Sequence, residues 1–181
     1  MKVLLDANVL YPTVMREVLL GVASAGLYHP LWTARILEEW ARATRKLGPE
    51  AETQARAEVA LLRANWPNSE INPSLGLETR LWLPDPDDVH VLAAAITGSA
   101  DILLTMNASD FPQAVLREEG LTRRDPDQFL RALWADHPDQ VAAAVANVRA
   151  QAERLSGQPW TTRNLLKKAR MPKLGKALET A

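Results

Sequence analysis

Apolar residues recur along this chain in two rhythms. Val3-Leu4-Leu5 is a short unbroken run ending in Asp6, the pattern of a buried strand over residues 2–5. Residues 13–25 change to a helical period, with Val14, Val18, Leu19 and Val22 on one side. Trp32-Thr33 opens a second helix over about 34–46, with Thr33 placed as its N-cap. A long Ala- and Arg-rich helix over about 49–64 follows. The stretch 66–84 carries Pro67, Pro73 and Pro84 and reads as loop, with room for short strands near 69–72 and 80–83.

Asp85-Pro86-Asp87-Asp88 is the sharpest boundary. A capping residue, a proline at the first helical position and acids in the first turn start a helix over 86–98 that ends near Gly98. Asp101-Ile102-Leu103-Leu104-Thr105 is then a second buried strand. Strand, helices and strand again predict an α/β fold with a central parallel sheet flanked by helices. From about residue 125 only helical patterns remain, over 125–136, 138–155 and 161–179. The expected organisation is a domain over 1–125 and an all-helical C-terminal extension over 126–181.

Composition narrows this picture. The 181 residues are 47% hydrophobic and 24% charged, ordinary values for a globular protein. A formal net charge of −1 means that contact with a polyanion would rest on where charges sit, not on their sum. No cysteine is present, which excludes disulfides, thiolate metal sites and cysteine nucleophiles and fits a reducing cytoplasm. Asp6 arrives too early for a signal peptide, and no run reaches the roughly 20 apolar residues of a membrane helix. A cytoplasmic protein with no membrane partner is expected.

Acids at the C-terminal ends of parallel strands draw attention, because ligand crevices of open α/β sheets form there. Asp6 ends the first strand, and Asp110 lies five residues beyond Thr105. Asp88 opens a buried stripe, with Leu92, Ala95 and Ile96 at i+4, i+7 and i+8, and a buried acid needs a partner or a metal. Glu39 sits at the edge of the face formed by Ile36, Trp40, Ala43 and Leu47; Glu38 points nearly opposite and has Arg42 at i+4. Converging carboxylates are what Mg²⁺ or Mn²⁺ requires. By spacing alone Asp6 is equally a strand-end cap, Asp85 and Asp87 read as helix-start chemistry, and Asp101 reads as structural.

These residues, taken in order, resemble the PIN-domain family. The matching pieces are Val3-Leu4-Leu5-Asp6-Ala7-Asn8-Val9-Leu10, Ile36-Leu37-Glu38-Glu39-Trp40, Asp85 to Ala95, and Ala100 to Pro112 with its Thr105-Met106-Asn107-Ala108-Ser109-Asp110 core, within a resemblance spanning about 2–125. The resemblance implies a ribonuclease dependent on Mg²⁺ or Mn²⁺. It implies Asp6, Glu39 and Asp88 as the acids of the pocket, with Asn8 and Thr105 as hydrogen-bonding supports. The family's fourth acid often directly follows the threonine-containing strand, where this chain has Asn107; Asp110 is then the substitute, or an acid behind the direct ligands. The subgroup it most resembles is the larger VapC-like toxin branch with a helical C-terminal addition, which implies a cognate antitoxin and a homodimer.

RNA would also need a grip. Arg163, Lys167, Lys168, Arg170, Lys173 and Lys176 form a basic stretch without an acid, read as a phosphate track, a solvated face or an antitoxin contact. Arg16 and Arg35 are further candidates. Trp40, Trp82 and Trp134 are assigned to the core, and Trp160 to the surface. His29, His90 and His137 lack zinc-type spacing, and His90 is expected to point away from its helix's apolar stripe. Three rivals stand beside the toxin reading, one of them an active nuclease of this kind used in RNA maturation. A haloacid-dehalogenase-like phosphatase would need a second acid where Asn8 stands. An inactive PIN-like module that binds RNA or protein is favoured by Asn107.

Overall fold

The computed structural model describes residues 1–74 and 76–179. The elements in chain order are β1 (Lys2–Leu5), α1 (Ala7–Leu10), α2 (Thr13–Ser24), β2 (His29–Leu31), α3 (Ala34–Ala43), α4 (Pro49–Asn65), α5 (Val89–Thr97), β3 (Ile102–Leu104), α6 (Gln113–Glu118), β4 (Thr122–Arg124), α7 (Pro126–Asp136), α8 (Pro138–Ser156), α9 (Thr162–Lys168) and α10 (Pro172–Ala177). They form an α/β fold around a four-stranded sheet of order β2-β1-β3-β4. β1 pairs in parallel with both neighbours, Leu4 opposite Leu31 on one side and Leu103 on the other. No described helix is long and apolar enough to cross a membrane.

Two compact units emerge: residues 1–11 with 29–123, and residues 12–28 with 124–181. In the first, Val3, Leu4, Leu5, Leu103 and Leu104 of the sheet are fully buried together with Ile36 and Leu92. Truncating one such leucine to alanine costs about 2–5 kcal/mol, the transfer loss plus the cavity. Gly98 follows α5 where a Cβ would fall within 2.8 Å of the Leu31 side chain and 2.9 Å of Ile71. In the second unit α2 crosses α8 closely at Gly21 and Ala144, and Leu19, Val22, Val141 and Val145 line the buried side. The α2 segment therefore belongs with helices more than a hundred residues downstream.

Local chemistry explains the ends. Thr33 caps α3 by accepting from the Ile36 N–H at 3.1 Å. Asp85 caps a 3₁₀ turn over Pro86–Asp88 that leads into α5. Asp101 accepts from the Lys2 N–H at 2.7 Å, a structural role as expected.

Several expectations change. The helix expected over 161–179 is two, α9 and α10, because Arg170 turns left-handed at φ +61° and Met171 precedes Pro172, which disfavours helical geometry before it. Residues 80–83 form no strand, and near 69–72 only an isolated bridge joins Glu70 to Trp32. Without that strand Trp82 leaves the core and is 65% exposed, while its neighbour Leu83 is buried. Trp40 is buried as expected, and Trp134 is half-buried. Arg16 is buried beside Glu17, which removes it from the surface RNA candidates.

Candidate active site

The site is built at the C-terminal edge of β1 and β3. The Asp6 N–H donates to the Leu104 carbonyl at 3.1 Å, so the ladder continues one residue past β1 and lays Asp6 beside Thr105. Asp6 is 5% exposed, and its Oδ2 accepts from the Thr105 hydroxyl at 2.7 Å and the Asn8 amide at 2.6 Å. Asn8 donates to Thr105 Oγ1 as well, and its own carbonyl accepts from the Met106 N–H at 3.0 Å. The Asn107 N–H donates to Thr105 Oγ1 at 3.0 Å. Asn8 thus ties the first strand's end to the loop after β3, and Thr105 is its centre. Burial pushes the Asp6 carboxyl above its usual range, more strongly than these hydrogen bonds lower it; the charge of Glu39 raises it further.

α3 delivers Glu39. Its Oε1 meets His90 Nε2 at 2.9 Å and accepts from Arg35 Nε at 3.2 Å. Burial raises this carboxyl, but the His90 and Arg35 contacts outweigh it and hold it below the usual value. Among the described residues Oε2 accepts nothing. Glu38, as expected, faces outward, where Arg56 and Arg42 hold it at about 2.

The remaining acids come from the 3₁₀ turn and the loop after β3. One carboxylate oxygen each of Asp85, Asp88 and Asp110 lies within 4.8 Å of the others. Asp110 accepts from the Asn107 amide, and Ser109 donates to the Asn107 carbonyl at 3.0 Å. Asn107 therefore orients Asp110 instead of standing as an acid itself. Asp88 differs from every other member. It is half-buried, and among the described residues its side chain receives no hydrogen bond. Burial first, then the charges of Asp6, Asp85 and Asp110, push its carboxyl up to about 6, with His90 partly opposing. Like charges gathered in partial desolvation are costly unless a cation joins them.

Of the four expected acids, Asp88 and Asp110 come together, with Asp85; Asp6 and Glu39 lie outside that cluster and are linked to it by charge, Glu39 acting on Asp6 and Asp6 on Asp88. Two residues were missed. Asp85 caps the turn by accepting from the Asp87 N–H at 2.9 Å and also joins the acid cluster; a cap occupies one oxygen and leaves the other free. His90 does not point away from the helix's buried side: it is 2% exposed and turned to Glu39. The signal was available, since Val89 to Ile96 is apolar except for His90, the composition of a helix buried all round.

The basic residues near the end of the chain belong to the second unit. Arg163 pairs with Glu179 at 2.8 Å, and the Lys168 amine lies 5.1 Å above the Trp160 ring. Lys167, Arg170 and Lys173 are exposed.

The family model of the PIN domain matches residues 2–109. No curated protein and no solved structure matches the chain significantly.

Proposed function

The chain belongs to the PIN-domain family, whose members are generally metal-dependent nucleases, and on that premise we propose that it is a divalent-metal-dependent endoribonuclease hydrolysing RNA phosphodiester bonds. The observation that carries the reading is Asp88: a half-buried carboxylate with no hydrogen-bond donor among the described residues, set among three other acids. The donor set fits a hard cation. Oxygens within 4.8 Å of one another match the roughly 4–5 Å across the coordination sphere of Mg²⁺ or Mn²⁺, and all the donors are carboxylates.

Asp6, Glu39, Asp88 and Asp110, joined by Asp85, would hold the ion or ions. When bound, such an ion offsets phosphodiester charge and makes water acidic enough to supply a nucleophile near neutral pH. The chain's own residues do the positioning. Asn8 and Thr105 engage one oxygen of Asp6, fixing its rotamer. Arg35 and His90 hold Glu39 by Oε1 and keep it ionised, so Oε2 stays available. Asn107 restrains Asp110 from behind. Without a cation the crowded acids repel an approaching phosphate, so activity without added metal is expected to be negligible.

Residues 1–125 carry this chemistry in the proposal, and the helical addition from 126 serves recognition. Its exposed Lys167, Lys168 and Arg170, with Arg163, would track the RNA backbone or meet an acidic protein. The biological reading is a cytoplasmic VapC-like toxin held by a cognate antitoxin and acting as a homodimer. An adjacent small reading frame with a DNA-binding N-terminus would support it. A second reading, an inactive module, rests on Asn107 standing where the family often has an acid.

The test is incubation of the purified protein with single-stranded and structured RNA, with and without Mn²⁺ or Mg²⁺, beside an Asp6→Ala/Asp88→Ala double variant. Metal-dependent cleavage by the wild type alone is the expected result. Cleavage by neither favours the inactive module, and equal cleavage by both removes the carboxylates from the chemistry.

A further inference from the structure

A cleft of about 490 Å³ opens in the first unit, reaching Glu39 only through residues that contact it. Two of its wall residues, Arg35 and His90, are the residues that hold Glu39. The irregular loop carrying Ile71, Asn72, Pro73 and Ser74 also lines it. We propose that this cleft is a nucleobase subsite, which seats the base of a nucleotide next to the phosphodiester cut at the carboxylates and reads its edge. The inference rests on the nuclease reading and adds a substrate preference to it.

Four observations converge. The cleft's size lies within the range of small-molecule sites. Its accessible lining is predominantly apolar, and Ile71 and Pro73 offer faces that suit a flat ring. Its charge disfavours a phosphate, because Glu78 also lines it, 3.9 Å from the Arg35 guanidinium that Glu39 already engages. Its polar capacity is unspent: Asn72 and Ser74 are exposed, and among the described residues the Asn72 carboxamide and the Ser74 hydroxyl make no side-chain hydrogen bond. A free carboxamide presents a donor and an acceptor together, the combination that pairs with a base edge.

Shared residues also fix the register. A base in the cleft sits beside Arg35 and His90, and both touch the carboxylate proposed to hold the ion. The sugar-phosphate attached to that base is thereby carried toward Glu39.

The experiment uses the full chain, Mn²⁺ and a single-stranded RNA pool randomised along its length, with the cut ends sequenced. Wild type is expected to favour one base at a single position beside the cut by about fivefold or more, the low end of what one base-edge pair supplies. Asn72→Ala and Ser74→Ala are expected to flatten that preference. Asn72→Asp, which exchanges a donor for an acceptor, is expected to change which base is preferred, something a merely structural loop residue would not do. Circular dichroism confirms that each variant is folded. Metal-dependent cutting with no base preference, or with one that all three variants leave intact, overturns the subsite while the nuclease stands. If the wild type cuts no RNA with Mn²⁺, the nuclease reading fails and takes the subsite with it.

Discussion

The tripeptide Asp-Pro-Asp occurs twice in this chain, once in each compact unit, and the acids that follow the two caps end differently. In both, the first acid caps a helical turn and proline takes the first position: Asp85 accepts from the Asp87 N–H, and Asp125 from the Gln128 N–H, each at 2.9 Å. Downstream they part. Asp127 is 5% exposed, and its two oxygens accept the Lys173 and Leu174 N–H groups at 2.9 and 2.8 Å, capping α10 from another helix. Asp88, one residue beyond the first tripeptide, is half-buried, with no donor among the described residues and three acids acting on it. The buried carboxylate is satisfied by the fold; the half-buried one accepts nothing from the described residues. The lesson is that burial alone does not mark a functional acid. Burial with an unfilled hydrogen-bonding need does.

The contrast breaks most sharply by exchanging activity against stability. Asp88→Ala is expected to lower metal-dependent RNA cleavage by about 1000-fold or more, equivalent to about 4 kcal/mol of transition-state stabilisation, with no loss of melting temperature. Comparable cleavage by wild type and variant would erase the distinction. Asp127→Ala should do the reverse. Losing a buried acceptor of two backbone donors costs about 2–3 kcal/mol, read as a lower midpoint in urea with the slope unchanged.

A smaller effect tests how Asp6 is held. Asn8→Ala is expected to reduce cleavage about 10- to 100-fold and to weaken Mn²⁺ binding in parallel, as loss of a ligand's hydrogen-bonding partner typically does. Cleavage reduced with Mn²⁺ affinity unchanged would move Asn8 out of that supporting role.

The smallest effect is the most diagnostic. Asp88 holds its proton up to about pH 6 in the folded protein, whereas an unfolded aspartate loses it near 4. Its stabilising contribution is therefore complete below about pH 4 and is lost as pH rises through 6, so at pH 7 the metal-free fold carries a penalty. Asp88→Asn removes that penalty. Allowing for solvent screening, the variant is expected to be about 1 kcal/mol more stable at pH 7 without metal, raising Tm by about 2–4 °C. The gain should shrink toward pH 4, and a stabilised metal-free variant that no longer cleaves would join both halves of the comparison.

Much of this was legible in the sequence because the signals were local. Thr33 before α3, the apolar run ending at Asp6, and Glu39 at the edge of an amphipathic face each follow from neighbours within a turn or two. What escaped was non-local or carried two roles. His90 was misread because one apolar stripe was assumed for α5, whereas His90 to Ala95 are all buried and the helix has no outer face there. Asp85, whose spacing reads first as a helix cap, is also a member of the acid cluster. β2 and β4 are three residues each, too short for any period to register. The grouping of α2 with α7 and α8 has no local trace, since its partners lie far along the chain.

The central claim is that the carboxylates around Asp88 form a cation site. Calorimetric titration of Mn²⁺ into the wild type and into Asp88→Asn at pH 7, repeated at pH 5, tests it most directly. Saturable binding by the wild type is expected, weakened at pH 5 where the Asp88 proton competes, and weakened at both pH values in the variant. No binding at millimolar Mn²⁺, or equal binding by wild type and variant, would contradict it.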